Sequence, residues 1–246
     1  MKSVAVIIGG SKGIGKSICE KYLKEGYIVI NGSRSNPKIN NKYFYSLKLD
    51  VKNEANIKSF FINVKKITKK IDVLINNAGM SEWKSIKNIK KDFIYNIFET
   101  NVFYIFWSCK YAIKLLGKNS SIINISSIAG KRGSKNNSAY SASKFAVNGI
   151  TQSLAKELGQ NKIKVNAICP VLIKTPGLIY ALKQKDSPAY KSGINPFLNK
   201  FIKANSSNGK LPTANDVADF TYFLSSESNQ SITGQCINID NGVFPQ

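Results

Sequence analysis

A tyrosine and a lysine four positions apart are the residues whose types and spacing best suit proton transfer. Tyr140 and Lys144 lie in a segment with helical periodicity, and positions i and i+4 of a helix share one face. An isolated tyrosine hydroxyl has a pKa of about 10, and a nearby ammonium group lowers it toward the range useful at neutral pH. In so lysine-rich a chain, the alternative is an amphipathic surface pair without a catalytic role.

The composition narrows the chemistry further. The 246 residues include no histidine, which excludes Ser-His-Asp and Cys-His catalysis and every histidine-containing metal site. We expect no metal site. The cysteines Cys19, Cys109, Cys169 and Cys236 form no C-x-x-C pair and lie in apolar segments, so we expect reduced thiols in the core.

The net charge of +22 results from 36 Lys and Arg against 14 Asp and Glu. Only Arg34 and Arg132 are arginines, and the lysines are spread along the chain instead of forming a cluster, so we expect no nucleic-acid partner. No signal-peptide pattern opens the sequence, and the long apolar stretch Phe93–Leu116 contains Glu99 and Lys110. We therefore expect a cytoplasmic protein that does not enter a membrane.

Short β-rich runs alternate with helical segments along the chain. Strands that are apolar on both faces, between helices, predict a single α/β domain over residues 1–246 with a doubly wound parallel sheet and helices on both faces. The predicted strands are Ser3–Ile8, Tyr27–Asn31, Tyr43–Leu49, Ile71–Ile75, Ser121–Ser126, Ile163–Ile168 and Cys236–Asp240. The predicted helices are Gly13–Glu25, Asn53–Ile67, Asp92–Leu116, Ser138–Leu158 and Thr213–Leu224. The segment Thr175–Leu211 shows no regular pattern, and we expect it to form a lid.

A glycine-rich loop, from Gly9 to Gly15, joins the first predicted strand to the first predicted helix. Glycines let the backbone approach a pyrophosphate, and the helix N-terminus adds N–H donors and a positive dipole end. A dinucleotide-binding loop requires this position between strand and helix, whereas the alternative is an ordinary glycine-rich turn. The expected cofactor contacts here are Gly9, Ser11, Lys12, Gly13, Ile14 and Gly15.

These motifs, together with the N-N-A-G run at Asn76–Gly79, resemble the short-chain dehydrogenase/reductase family in its compact subtype, which includes 3-oxoacyl-(acyl carrier protein) reductases. The resemblance covers nearly the whole chain and is weakest over the predicted lid. It implies a Rossmann fold and hydride transfer between a nicotinamide cofactor and a carbonyl or secondary alcohol.

The resemblance also implies a catalytic set. Ser127 matches the family's serine that hydrogen-bonds the substrate oxygen, and Tyr140 matches its proton donor. Lys144 matches the lysine that lowers the tyrosine pKa and binds the nicotinamide ribose. Asn101, a poor helix former inside a predicted helix, matches an asparagine that holds a water in a proton relay; the alternative is a buried asparagine with a structural role.

The cofactor expected from the sequence is NADP(H). The second predicted strand is not followed by the acidic residue that would favour NAD. Ser33 stands at the family's usual aspartate position, Arg34 follows it, and Lys12 occupies a second family position for the 2′-phosphate. Arginine binds phosphate bidentately, although a solvated surface arginine is the alternative. The other family positions around the cofactor are Asp50, Val51, Asn77, Ala78, Gly79, Tyr140, Lys144, Pro170, Ile173 and Thr175.

One departure from the family lies beside this set. Val171 replaces a usual glycine after Pro170, so we expect a reshaped wall next to the nicotinamide.

The leading hypothesis is therefore an NADP(H)-dependent reductase of a small polar ketone, or the reverse alcohol oxidation, acting as a homotetramer or homodimer. The runner-up is a 3-oxoacyl-(acyl carrier protein) reductase, in which Lys131, Arg132 and Lys174 engage the acidic carrier. The long predicted lid argues for an enclosed small substrate instead. A third hypothesis is a non-catalytic NADP-binding regulatory protein on this fold.

Overall fold

Apolar strands and helices alternate in the computed structural model, which describes residues 2–245. The strands are β1 (Val4–Ile8), β2 (Ile28–Ser33), β3 (Phe44–Lys48), β4 (Ile71–Asn76), β5 (Leu116–Ile125), β6 (Lys164–Pro170) and β7 (Cys236–Ile239). The α-helices are α1 (Gly13–Lys24), α2 (Glu54–Ile67), α3 (Lys91–Phe98), α4 (Tyr104–Ala112), α5 (Ser138–Leu158), α6 (Pro176–Leu182), α7 (Ile194–Asn205) and α8 (Ala214–Ser225). A π-helical turn, Glu99–Phe103, joins α3 to α4.

The strands form one parallel sheet in the order β3-β2-β1-β4-β5-β6-β7, which confirms the predicted doubly wound fold. Helices α2, α4 and α5 cover one face, where they pack on Val6 and Ile8 of β1. Helices α1 and α8 cover the other face and pack on Ala5 and Ile7. Because the chain leaves β1 toward β2 and later returns on its other side as β4, the strand order reverses between β1 and β4. In such sheets, ligands bind at the carboxyl ends of the strands at this point.

The predicted long helix Asp92–Leu116 is wrong at its centre and at its end. The π-helical turn interrupts it, α4 stops at Ala112, and Leu116 already belongs to β5. A wide turn of this kind shifts the helix face that follows by one residue, which a 3.6-residue pattern cannot predict.

The predicted absence of regular structure in Thr175–Leu211 is also wrong, because α6 and α7 lie within it. Thr175 caps α6 through its side chain and Pro176 occupies the first turn, a typical helix start. Gly193, with φ of +82°, reverses the chain before α7.

Within residues 2–245, no helix is long and apolar enough to cross a bilayer, and no cluster of acidic and cysteine side chains is arranged to hold a metal. As predicted, the cysteines are free, and Cys19, Cys109 and Cys169 are buried.

Candidate active site

The glycine loop leaves β1 at the point where the strand order reverses. Gly9 has a φ of +94°, and Asn77 Nδ2 donates to the Gly9 carbonyl oxygen at 2.8 Å. A Cβ at Gly9 would lie 2.7 Å from the Ala78 backbone, and a Cβ at Gly15 would overlap the Gly9 carbonyl. Glycine is therefore required at both positions, and the loop backbone follows the ends of β1 and β4 closely.

Helix α1 begins at this loop with uncapped backbone N–H groups. Lys12 at its N-cap makes no side-chain hydrogen bond to the first turn, which contains no acidic residue. In contrast, Asn53 caps α2 and Thr213 caps α8. Free N–H donors and the positive end of the helix dipole attract a phosphate. The bare backbone and these donors fit the pyrophosphate of a dinucleotide, and the predicted contacts Ser11 and Ile14 are half-buried in the same loop and first turn.

Ser33 at the end of β2 and Arg34 directly after it are two of the residues predicted to select the cofactor. Ser33 is buried, and its Oγ donates to the Ser35 carbonyl oxygen at 2.7 Å and accepts from Asn31 Nδ2 at 2.9 Å. Arg34 and Lys12 are exposed, and within residues 2–245 neither forms an ion pair. Ser33 thus shapes its own loop, whereas Arg34 and Lys12 present charges to solvent.

Other predicted cofactor positions lie around the glycine loop and differ in how far they are buried. Thr175 lies against the loop, because a Cβ at Gly13 would be 3.0 Å from Thr175 Cγ2. Asp50 is exposed after β3 and accepts from the Lys52 backbone N–H at 3.1 Å, while Val51 packs on the core. Ile173 is buried in the cluster beneath α8.

Asn101 lies in the π-helical turn, a rare geometry that occurs frequently at functional sites. Its side chain is 1% exposed. Its Oδ1 accepts from the Met80 N–H at 2.8 Å, and its Nδ2 donates to the Met80 carbonyl oxygen at 3.0 Å and to Ser143 Oγ at 3.0 Å. The amide thus ties the loop after β4 to helix α5, and its predicted water contact stays a prediction.

Tyr140 and Lys144 share one face of α5, with Lys144 Nζ 5.9 Å from the centre of the tyrosine ring. Lys144 is 5% exposed and donates to the Ile125 carbonyl oxygen at 2.8 Å. Burial lowers the pKa of Lys144 to about 8. Burial raises the pKa of Tyr140, against the opposing effect of a hydrogen bond with Ser127, so the expected lowering is wrong for this structure. Tyr140 is a neutral phenol at neutral pH.

The space above Gly79 joins this pair to Asn101. A Cβ at Gly79 would lie 3.4 Å from Asn101 Oδ1 and 3.7 Å from Lys144 Nζ. Ser127 follows β5, and its Oγ donates to the Pro170 carbonyl oxygen at 3.4 Å. The structure therefore brings the predicted catalytic side chains together beside the glycine loop, at the carboxyl ends of β4, β5 and β6.

Val171 does not enter this space. It is 7% exposed and packs in a small apolar cluster with Ile128 and Val243. Its φ is not among the positive values of residues 2–245, so valine replaces glycine here without backbone strain.

Three loops meet at Asp186, in the segment between α6 and α7, and no sequence pattern indicated this contact. Asp186, the only acidic residue between Leu158 and Asn215, accepts from the Ser85 N–H at 3.0 Å through its carboxylate. Asn136 Nδ2 donates to the Asp186 carbonyl oxygen at 3.1 Å. We call this set the lid junction. The nearby Trp83 is 6% exposed and packs against lid residues Ala181, Leu182, Ala189 and Leu198.

The basic residues predicted at the mouth have different surroundings. The Arg132 guanidinium lies 4.9 Å from the centre of the Phe244 ring near the C-terminus. Lys174 is exposed and lines a surface cavity of about 300 Å³ with Asn195 and Asn199 of α7.

A buried chain of polar side chains beneath the site was also missed. Ser108 Oγ donates to Asn76 Oδ1 at 2.7 Å, and Asn76 Nδ2 donates to Asn124 Oδ1 at 2.9 Å. Asn124 Nδ2 donates to Thr151 Oγ1 at 2.9 Å. The chain links α4, β4, β5 and α5. Asparagine inside otherwise apolar strands was the signal that could have revealed it.

Comparison with known proteins agrees with this geometry. The short chain dehydrogenase family model matches residues 3–186. A 3-oxoacyl-(acyl-carrier-protein) reductase of Buchnera aphidicola is 34% identical over 252 residues, which cover 99% of this chain and 98% of that protein.

Solved structures extend the agreement to the fold. Ligand-free aldohexose dehydrogenase of Thermoplasma acidophilum matches with a TM-score of 0.89 and 30% identity over 98% of this chain and 94% of its own. A variant of actinorhodin polyketide ketoreductase with NADPH matches with a TM-score of 0.90 and 26% identity over 98% and 97%. The protein belongs to the short-chain dehydrogenase family and is an oxidoreductase acting on CH–OH or C=O groups.

Proposed function

We propose that the protein is an NADP(H)-dependent ketoreductase of a small polar substrate, with Asn101, Ser127, Tyr140 and Lys144 as its catalytic set. The observation that carries this proposal is the convergence of these side chains beside a glycine loop shaped for a dinucleotide. The bound cofactor supplies a hydride to the carbonyl carbon or accepts one from the alcohol. The protein's own residues orient the substrate oxygen and move the proton.

Ser127 and Tyr140 bind the substrate oxygen through their hydroxyl groups. Because burial raises the pKa of Tyr140, its phenol holds a proton at neutral pH and donates it during reduction. In alcohol oxidation the tyrosine must release that proton, and the ammonium of Lys144 favours the phenolate. Lys144, with a pKa of about 8, exchanges protons near neutral pH. Asn101 holds the loop beside Lys144, where a water returns the proton.

The preference for NADP(H) is supported by charge. Lys12 and Arg34 are exposed on the two loops that border the uncapped start of α1. The second of these loops has no carboxylate to accept hydrogen bonds from the adenosine ribose of NAD. Arg34 offers a bidentate contact to a 2′-phosphate. A family relative, the polyketide ketoreductase, was solved with NADPH.

Residues 175–211 act in this proposal as a substrate lid on a single domain. The lid junction and the burial of Trp83 against α6 and α7 support an enclosed site, which suits a small substrate. The second candidate is a 3-oxoacyl-(acyl carrier protein) reductase. The similarity to the Buchnera reductase and the basic Lys131, Arg132 and Lys174 favour it.

We also propose a homotetramer or homodimer in the cytoplasm. Phe103 and Phe106 of the π turn and α4, and Phe145 of α5, are each more than 40% exposed, which favours burial against another subunit. Four free thiols suit a reducing compartment.

The test combines binding with turnover. The wild type should be stabilised more by NADPH than by NADH in thermal melting, and should oxidise NADPH with members of a ketone panel that includes keto-sugars and a 3-oxoacyl thioester. Tyr140→Phe should lose at least about a thousandfold in kcat and keep its NADPH shift. Tyr95→Phe, an exposed tyrosine, is the matched control. Turnover by Tyr140→Phe would refute the tyrosine's role, and a wild type that binds NADPH but reduces nothing would favour a regulatory protein.

A further inference from the structure

Asn31, which no motif singled out, couples the two loops proposed to recognise the cofactor phosphates. It lies near the end of β2 with a fully buried side chain. Its Oδ1 accepts from the Gly10 N–H at 2.9 Å. Its Nδ2 donates to Ser33 Oγ at 2.9 Å and to Ser46 Oγ at 3.1 Å. One side chain therefore binds the glycine loop, the last residue of β2 and strand β3.

The hydrogen bonds continue into both loops. Ser33 passes the chain on to the Ser35 carbonyl oxygen at 2.7 Å, on the far side of Arg34. At the other end, Gly10 allows the contact because it has no side chain, since a Cβ there would lie 2.6 Å from Asn31 Oδ1. These hydrogen bonds thus extend from Gly10, two residues before Lys12, to Ser35, the residue after Arg34.

This coupling matters because the side chains of Lys12 and Arg34 are exposed, and within residues 2–245 neither forms an ion pair that would fix its position. Long, solvated side chains lose rotamer freedom when they bind, so their contribution depends on where the backbone places them. A change of loop separation would let Lys12 and Arg34 reach a phosphate only one at a time.

We propose that Asn31 is a positioning residue for cofactor selectivity, which holds Lys12 and Arg34 at the distance at which both reach one 2′-phosphate. This rests on the proposed use of NADP(H). The Asn31 amide binds Gly10, Ser33 and Ser46, so its proposed effect on the cofactor is exerted through the segments that these residues belong to.

The experiment measures dissociation constants for NADPH and NADH by fluorescence titration, without a substrate. Asn31→Leu preserves the size of the side chain and removes the three hydrogen bonds. The ratio of NADPH to NADH affinity should fall about tenfold, the equivalent of one charge-assisted hydrogen bond. Ser46→Ala removes only the outermost partner and should lower the ratio about two- to threefold. Urea unfolding of each variant verifies that it is folded.

The matched control is Asn166→Leu. Asn166 is also a fully buried strand asparagine, and it holds the loop before β7 by donating to the Ile232 carbonyl oxygen at 2.8 Å and accepting from the Gln235 N–H at 3.0 Å. It lies on β6, so its substitution should leave the ratio unchanged.

Each outcome is decisive. A folded Asn31→Leu variant with the wild-type ratio would overturn the inference, and so would equal weakening of both cofactors, which would show general support of the loops. If Asn31→Leu does not fold, an unchanged ratio in Ser46→Ala overturns it. A wild type without preference for NADPH contradicts the proposed cofactor itself, and is recognised before any variant is made.

Discussion

Replacing Lys144 with methionine should stabilise the protein at neutral pH while removing its activity. Burial lowers the pKa of Lys144 from 10.5 to about 8. A shift of this size corresponds to about 3 kcal/mol of free energy that opposes folding whenever the amine is protonated in both states. Methionine lacks that cost but loses the hydrogen bond to the Ile125 carbonyl oxygen, worth about 1–2 kcal/mol. The net expectation at pH 7 is a gain of about 1–2 kcal/mol.

The pH dependence has a definite sign. Between the folded pKa of about 8 and the ordinary value of 10.5, the unfolded chain binds the Lys144 proton and the native protein does not. The penalty on the wild type therefore disappears as the pH rises through this range. The stability difference between variant and wild type should fall by about 3 kcal/mol from pH 7 to pH 10.5 and change sign. The raised pKa values of Cys109 and Cys236 cancel in the difference, because neither thiol is coupled to Lys144. The Cys169 thiol is coupled to Lys144, whose ammonium lowers its pKa against the larger effect of burial, so Cys169 contributes part of the pH dependence of the difference.

Urea unfolding followed by circular dichroism at several pH values measures this difference. Lys156→Met, an exposed lysine on the same helix, should change stability by less than about 0.5 kcal/mol at every pH. A Lys144→Met variant that is less stable at pH 7, or whose difference from the wild type does not depend on pH, would refute the argument that burial of the ammonium opposes folding.

Three further predictions concern the loops and the core. Gly15→Ala should abolish the thermal shift with NADPH, because its Cβ would overlap the Gly9 carbonyl; Gly149→Ala, where nothing lies within 4 Å, should retain it, and equal shifts would contradict the geometry. Asp186→Asn should accelerate tryptic cleavage at Lys183, Lys185 and Lys191 and raise the KM for a ketone severalfold with NADPH affinity unchanged, since it weakens the lid junction; Asp219→Asn is the control, and an unaltered cleavage pattern would count against a junction that holds the lid. Asn124→Leu should destabilise the protein by about 2–4 kcal/mol in urea unfolding, because it removes the acceptor of Asn76 Nδ2 and the donor to Thr151 Oγ1 in the buried core; a loss below about 0.5 kcal/mol would show that the chain is not needed.

The sequence predicted the parts of this structure that depend on local pattern. Helix α5 has the predicted bounds, and the helix predicted over Asn53–Ile67 forms as α2 with Asn53 as its N-cap. The pair Tyr140–Lys144 and the glycine loop were found because each is a short motif, whose residues are neighbours in the folded structure as well as in the sequence. Asn101 was found from the family resemblance, although the helix that contains it was predicted without its π turn.

What the sequence did not reveal depends on contacts between distant segments. Apart from Ser33, the partners of Asn31 and Asp186 lie 15 to 101 positions away along the chain, and neither residue has a pattern of its own. The pKa of Tyr140 was predicted with the wrong sign, because the prediction included the neighbouring ammonium and not the cost of burial. Helix α7 does have apolar residues at helical spacing, at Ile194, Phe197, Leu198 and Phe201, and the sequence prediction overlooked this signal. Its packing on Trp83, which comes from another loop, could not be predicted from that pattern.

The buried asparagines have a consequence for how the strands find each other. Strands β4 and β5 are rich in isoleucine and would be almost equally apolar in neighbouring alignments, but Asn76 pairs with Asn124 and Ile75 with Ile123. Sliding one strand by a single residue would place Asn76 beside Ile123 or Ile125 and turn its amide to the opposite face of the sheet. Each buried amide left without a partner costs about 1–3 kcal/mol. These asparagines therefore discriminate during folding against misaligned sheets that hydrophobic burial alone would accept.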